Sequence, residues 1–257
     1  MFSPGRIAKS LLTLNSGKRF LQTMKKTKMS VSWSGGKDSA FALYQLLKGN
    51  NYEAVELHTV FNAENNRVGM HGTHEKLIEK QAEALGIPLT KLYLDSSHTS
   101  NAYEKLIMDY YRVLIDQGVH HVMFGDIFLE DLKEFRDSIL KKCGMSGVYP
   151  LWEKPSEELL NNFIDSGFRS VICAADTDKI PKEYVGRYLG REILELNVDP
   201  CGENGEYHSF VTHSPMFSKP INLKMAGVRP EEYEYEVLKE SGEKELHRIK
   251  FWFADIN

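Results

Sequence analysis

The chain has 257 residues, of which 42% are hydrophobic and 26% charged, with a formal net charge of -4; that is enough chain for one large core or two modest ones. No apolar run approaches the roughly 20 residues of a membrane span, so a soluble, cytoplasmic protein without membrane contact is expected. Three widely spaced cysteines and no Cys-x-x-Cys pair count against a disulfide framework, a zinc ribbon and an iron–sulfur site.

Residues 1–28 form a basic leader, with Ser3, Ser10 and Ser16 but no acid. It superficially resembles a transit peptide, but its composition is read more simply as a disordered arm or an over-called start ahead of a strand beginning at Met29. The rest of the chain is therefore acidic and lacks a lysine/arginine cluster, a poor electrostatic match for a nucleic-acid backbone. Val31-Ser32-Trp33 then runs as a strand into Ser34-Gly35-Gly36-Lys37-Asp38-Ser39. Ala40, Leu43, Tyr44 and Leu47 recur at helical spacing before Gly49-Asn50 ends that helix. A strand is expected over 54–61 and a polar loop over 62–69. A helix follows through Leu77, Ile78, Gln81, Ala82 and Leu85, closed by Gly86 and Pro88. Leu89 to Leu94 reads as the third strand, and Tyr103, Leu106, Ile107, Tyr110 and Leu114 mark the inner face of the next helix. His121 to Phe124 is a short apolar strand stopping at Gly125-Asp126, a helix runs on from Phe128, and Val148 to Trp152 is a fifth strand. Such alternation predicts a parallel, doubly wound α/β sheet over residues 29–152.

Past Glu153 the pattern changes. A helix opened by Pro155, a strand from Arg169 to Ala174, a strand over Ser209 to Thr212 and an alternating tail, read as a sheet-edge strand at Ile249 to Phe253, predict a smaller C-terminal α+β domain over residues 153–257.

The glycine loop carries the clearest chemistry. Two glycines let consecutive N–H groups approach an anion, and the helix that follows adds the positive end of its dipole. Lys37 supplies a cation, and the Ser34 and Ser39 hydroxyls can donate to phosphate or cap the helix. The P-loop NTPase pattern is not met, because Val31 stands where its first glycine belongs and Asp38 follows the lysine. Ser34 to Ser39 instead resembles the SGG-x-DS pyrophosphate loop of the N-type ATP pyrophosphatases, which cleave ATP between the α and β phosphates. His71-x-x-His74 lacks an evident third metal ligand and reads as a loop and helix-start feature.

Taken with Arg67-Val68-Gly69-Met70-His71-Gly72, Phe124-Gly125-Asp126-Ile127, Tyr149-Pro150-Leu151-Trp152 and the run from Asp199 through Phe217, the loop resembles the diphthine–ammonia ligase family. The likeness spans most of residues 29–217. It implies an adenine nucleotide α-hydrolase-like domain followed by a smaller domain bearing the motif Cys201-Gly202-Glu203-Asn204-Gly205-Glu206-Tyr207-His208. The implied activity uses ATP and ammonium to turn a carboxylate, in eukaryotes and archaea one on elongation factor 2, into an amide. Met70-His71-Gly72-Thr73 is closer to bacterial-type members, which makes a small-molecule carboxylate an alternative acceptor.

Amide formation from a carboxylate needs a leaving group, and attack on the α-phosphate of ATP supplies one as an acyl-adenylate. On this reading Ser34, Gly35, Gly36, Lys37, Asp38, Ser39, Gly125 and Asp126 bind ATP, with Asp38 and Asp126 as ligands for Mg²⁺. Glu203, Glu206 and His208 serve the acceptor and ammonium half, with Glu206, beside the start of a strand, the better placed glutamate. A homo-oligomer is compatible with this reading. A tRNA-modifying ATP pyrophosphatase and a non-catalytic ATP sensor are the competing readings; the first wants a basic face and often paired cysteines, and the sequence has neither.

Overall fold

In the computed structural model the described residues are 26–95, 100–238 and 244–257. The expectation for residues 1–25 of the leader lies outside them. Thr27 and Lys28 already belong to β1 (Thr27–Ser32), so the first strand starts two residues earlier than its apolar pattern suggests.

Alternation of strands and helices builds the first layer: β1, α1 (Lys37–Lys48), β2 (Tyr52–Asn62), α2 (Glu75–Leu85), β3 (Leu89–Leu94), α3 (Ser100–Asp116), β4 (His121–Met123), α4 (Glu130–Lys142) and β5 (Ser146–Val148). The strands pair in the order β3-β2-β1-β4-β5, all parallel. Local signals explain the boundaries. His74 caps α2 by accepting from Lys76 N at 3.2 Å, and Gly86 closes it in the left-handed region at φ 67°. On α3, Ile107, Tyr110, Tyr111 and Leu114 are buried against Val122, Phe124 and Ile139, so the tyrosines there are core residues.

β5 ends where the sequence pattern expected it to begin. Pro150 cannot donate to a strand ladder, and residues 149–152 turn instead, with Tyr149 stacked on Phe124 at 5.4 Å and donating to Asp137 at 2.7 Å.

The second layer follows α5 (Ser156–Asp165) with β6 (Arg169–Asp176), β7 (Tyr207–His213), β8 (Met225–Leu238) and β9 (Lys244–Ile256) in an antiparallel sheet of order β7-β6-β9-β8. The tail strand is thus interior, with Phe253 paired to Ala174 on one side and to Arg229 on the other. Alternation reports a strand with unlike faces and says nothing of its place in the ladder.

The two sheets share a core. One continuous cluster of buried side chains takes in Met29, Phe41 and Ile78 as well as Phe163, Ile172 and Phe210. Phe163 and Phe168 approach Phe41 edge-on at 6.0 and 5.8 Å. This packing brings β7 against the loop after β1. No helix among the described residues is long and apolar enough to cross a membrane.

Candidate active site

The order β3-β2-β1-β4-β5 reverses direction between β1 and β4, and a sheet of this kind opens a crevice beyond its strand ends at that point. The glycine loop leaves β1 there and Gly125-Asp126 leaves β4. Gly35 has φ +80°, and a Cβ on it would stand 2.6 Å from Ile78 and 2.8 Å from Gln81, so both the turn and the packing require glycine. A Cβ on Gly125 would meet the backbone of Asp38 and Ser39 at 2.8 Å; the two loops touch through bare backbone.

Hydrogen bonds to the second sheet fix the loop from behind. Val211 N donates to Gly35 O at 2.9 Å, and Lys37 N donates to Ser209 Oγ at 3.1 Å. Buried Gln81 donates to Gly35 O at 3.0 Å and to Val211 O at 2.7 Å while accepting from the Trp33 indole at 2.9 Å. In front, Ser34 Oγ lies 3.3 Å from Ser39 Oγ and accepts from Gly36 N at 3.2 Å. The N-cap of α1 is Gly36, which offers no side chain of its own to the helix start; the Lys37 N–H there is taken by Ser209.

The glutamate motif folds on itself and then reaches across. Asp199 Oδ2 accepts from Cys201 N at 3.0 Å and Glu203 N at 2.9 Å, and Tyr207 donates to Pro200 O at 2.6 Å. Hydrogen bonds from Lys37 and Ile127 join it to the first domain. Lys37 donates to the Cys201 carbonyl as well as to both Asp38 oxygens at 2.8 Å, and Glu203 Oε1 accepts from Ile127 N at 2.8 Å.

A cavity of about 260 Å³ lies between these parts. Of the residues expected from sequence, Ser34, Lys37, Asp38, Ser39, Gly125, Asp126, Glu203 and His208 line it. Gly35 and Gly36 shape the loop behind the wall. Glu206 does not line the crevice. Its buried carboxylate accepts from Asp199 N and Asn204 Nδ2, both at 3.2 Å, through Oε1, and Oε2 has no partner. Its place just ahead of β7 favours Glu206 over Glu203 in the sequence, and its carbonyl does accept from Asp176 N at 2.9 Å, but its side chain is held on the Asp199 turn, away from the crevice.

Among the lining residues not assigned to the site from the sequence are His71, Arg136, Tyr207 and Ser209. His71 lies tilted against His208 with centroids 4.6 Å apart, and His208 in turn stacks on Phe251 at 6.2 Å. Its fellow, His74, is the α2 cap. Arg136 extends from α4 to pair with Asp126 at 2.7 Å. An arginine ten residues beyond Asp126, across a turn and into a helix, carries no local signal of that pairing.

The electrostatics follow from burial. Burial and the nearby Asp38 charge push the Glu203 carboxyl from 4.5 up to about 7, against the Ile127 N–H, which lowers it. Burial likewise raises Asp126, outweighing Arg136. Burial drops His71 to about 4, opposed by the Ser209 backbone, and lowers His208 well below its ordinary value, so both rings are neutral at neutral pH. Burial would lower Lys37, yet Asp38 beside it holds the ammonium charged.

A second cavity of about 570 Å³ opens at the ends of β2 and β3, lined by Val60, Phe61, Asn62 and Leu94, with Tyr103, Arg229 and Phe253 opposite. The Arg67 to Gly72 loop separates the two spaces: Gly69, Met70 and Gly72 face the larger, His71 the smaller. That loop is anchored by Arg67, which donates to Gly72 O at 2.6 Å.

The arrangement coincides with one known family along nearly the whole described chain. The profile of the diphthamide synthase N-terminal domain matches residues 27–147, and that of the diphthamide synthase C-terminal domain matches residues 155–250. The chain belongs to the diphthamide synthase family. Among its relatives are the diphthine–ammonia ligases of Bos taurus and Homo sapiens, each 28% identical over 219 residues, covering 73% of this chain and 79% of the relative. That of Danio rerio is 26% identical and is covered over 83% of its length. A solved structure, the U34-tRNA thiolase NcsA from Methanococcus maripaludis with its [4Fe-4S] cluster, overlaps 54% of this chain and 56% of its own at 19% identity, with a TM-score of 0.36. Both family domains contribute to the crevice: the N-terminal one gives the glycine loop, His71, Asp126 and Arg136, the C-terminal one Glu203 and His208.

Proposed function

We propose that this chain is an AMP-forming carboxylate–ammonia ligase that amidates diphthine on elongation factor 2. The observation that carries the proposal is the meeting, in one crevice at the sheet's switch point, of the Ser34 to Ser39 loop and Glu203, whose carboxyl burial pushes up to about 7. The first suits pyrophosphate departure, and the second suits proton removal at neutral pH.

In this reading the loop N–H groups and serine hydroxyls hold the β and γ phosphates. The nucleoside occupies the larger cavity, whose Phe61, Tyr103 and Phe253 offer apolar faces to a purine ring. The α-phosphate then lies where the two cavities meet, beside the Arg67 to Gly72 loop, and the acceptor carboxylate attacks it there. Glu203 takes a proton from the ammonia nitrogen as the amide forms, and AMP leaves. His208, neutral and packed between His71 and Phe251, shapes the wall of the acceptor side.

Asp38 and Asp126 fit a Mg²⁺ that arrives with ATP. Both line the crevice, and burial disfavours charge on each carboxylate even with Lys37 beside Asp38 and Arg136 beside Asp126, a cost that a further cation would offset. Among the described residues no group of three or more candidate ligands stands together, so phosphate oxygens and water would complete the shell, as Mg²⁺ prefers. Bound there, the ion would draw charge from the phosphates.

A cytosolic setting belongs to the same reading and accords with three free cysteines. The test is product analysis with purified elongation factor 2 carrying diphthine, ammonium chloride and ATP. Stoichiometric AMP, pyrophosphate and an acceptor in which one carboxyl oxygen is replaced by nitrogen are expected; ADP as the main product, or AMP release indifferent to the acceptor, would overturn the proposal.

A further inference from the structure

Two cations line the crevice, Lys37 and Arg136, and their donors are committed differently. Lys37 is buried, 3% exposed as a residue, and its ammonium gives all three of its donors to protein: two to Asp38 at 2.8 Å each and one to the Cys201 carbonyl. Its ring neighbour Tyr207, with its centroid 5.2 Å away, closes the remaining side. Arg136 spends one N–H on Asp126 at 2.7 Å, keeps 22% of its side chain exposed, and lies 4.6 Å from the centroid of Phe124. A guanidinium has five donors in a planar fork.

We propose that Arg136 is the cation that receives the departing pyrophosphate, and that Lys37 is a strut locking the glycine loop to the glutamate motif. The proposal rests on the ATP-cleaving reading above. In that step a carboxylate oxygen bonds to the α-phosphorus, the bond to the α–β bridging oxygen breaks, and its electron pair leaves on pyrophosphate, which gains one negative charge. No other proton or electron moves. Lys37 cannot follow that charge without abandoning Asp38 and Cys201. Arg136 can, because the fork that meets one Asp126 oxygen has parallel N–H groups left for phosphate oxygens, and its stack on Phe124 keeps the plane oriented while it changes partner.

The experiment is calorimetric titration of the full chain with pyrophosphate, ATP and AMP, all with magnesium chloride, for the wild type, Arg136→Gln, Arg136→Lys, Asp126→Asn and the double variant Asp126→Asn/Arg136→Gln. Arg136→Gln is expected to weaken pyrophosphate and ATP at least tenfold while AMP changes less than twofold. Arg136→Lys should recover part of the loss, because it restores a point charge without the fork. The same loss should appear when the double variant is compared with Asp126→Asn, where no unpaired carboxylate can unsettle the fold. Equal weakening of AMP, unchanged pyrophosphate affinity, or a loss that vanishes in the Asp126→Asn background each overturns the assignment. A wild type that binds AMP as well as ATP and ignores pyrophosphate would refute the ATP-cleaving reading itself and this proposal with it. That result is read on the wild type alone.

Discussion

The glycine loop and the glutamate motif face each other across one crevice, yet they are held in opposite ways. The loop is tied from outside, by Gln81, Val211 and Ser209, and its one buried charge is paired. The motif is tied mainly to itself through Asp199 and Tyr207, and carries one carboxyl pushed towards its neutral form and another with an orphan oxygen. The contrast teaches where each half can yield. A site for a fixed phosphate gains from preorganised donors, whereas a site that moves a proton needs a group near its titration point.

The strongest break should come where the two regions share an atom. Lys37→Ala removes the strut and leaves Asp38, whose side chain is 31% exposed, without its partner. A loss of about 3 kcal/mol is expected, the low end for a broken buried pair, and it should be visible in urea melts. ATP/pyrophosphate exchange should fall on the order of a hundredfold or more, since the loop and motif then lose register. A variant with unchanged melting and unchanged exchange would show the strut to be dispensable.

Next in size is Gly125→Ala. The added methyl would stand 2.8 Å from the Asp38 and Ser39 backbone, atoms that cannot rotate away, so the start of α1 must shift. A cost of about 1–3 kcal/mol is expected, together with weaker pyrophosphate binding by calorimetry. Normal affinity at reduced stability would mean that the loop re-forms around ligand.

Glu203→Gln separates the regions rather than breaking both. Exchange should survive within a few-fold while amide formation drops on the order of a hundredfold. The acid limb of the amide rate, set near pH 7 by Glu203, should disappear. Stability should respond with the opposite sense. A carboxyl whose folded pKa is raised from 4.5 to about 7 binds its proton more tightly in the folded chain, so its contribution is complete below 4.5 and is lost as pH rises through 7. The wild type should therefore weaken relative to Glu203→Gln between pH 4.5 and 8, by about 1–2 kcal/mol after allowance for partial exposure. A constant difference across that range would place the raised pKa elsewhere.

How much of this was legible beforehand differs between the two regions for the same reason. The loop is contiguous, with Ser34 to Ser39 displaying its glycines, hydroxyls and lysine at fixed offsets, so both position and chemistry could be read. The parallel, doubly wound sheet followed from strand and helix alternation, whereas the turn at Pro150, the strand β8 and the interior place of β9 did not. Arg136 and His71 could not be read as site residues, because each reaches the crevice from a different element and its partner lies in the tertiary fold. The motif at 201–208 was visible as a cluster of glycines and acids, but which glutamate faces the crevice depends on how Asp199 turns the chain, and that is a three-dimensional fact.

The smallest expected effect therefore belongs to the residue that the sequence ranked highest in that motif. Glu206 is 4% exposed, accepts from Asp199 N and Asn204 through one oxygen, and lies off the crevice wall. Glu206→Gln keeps that acceptor and replaces the orphan Oε2 with an amide nitrogen, exchanging one unsatisfied group for another. Stability should change by no more than about 1 kcal/mol, and both exchange and amide formation should stay within a few-fold of the wild type. Glu206→Ala, which deletes the acceptor that turns Asp199, should instead lower both activities together through loss of motif geometry. If Glu206→Gln abolishes amide formation while sparing exchange, the orphan oxygen is the ammonium ligand, the motif must turn over when the adenylate forms, and the contrast between a rigid loop and a self-tied motif becomes one between a fixed half and a moving half.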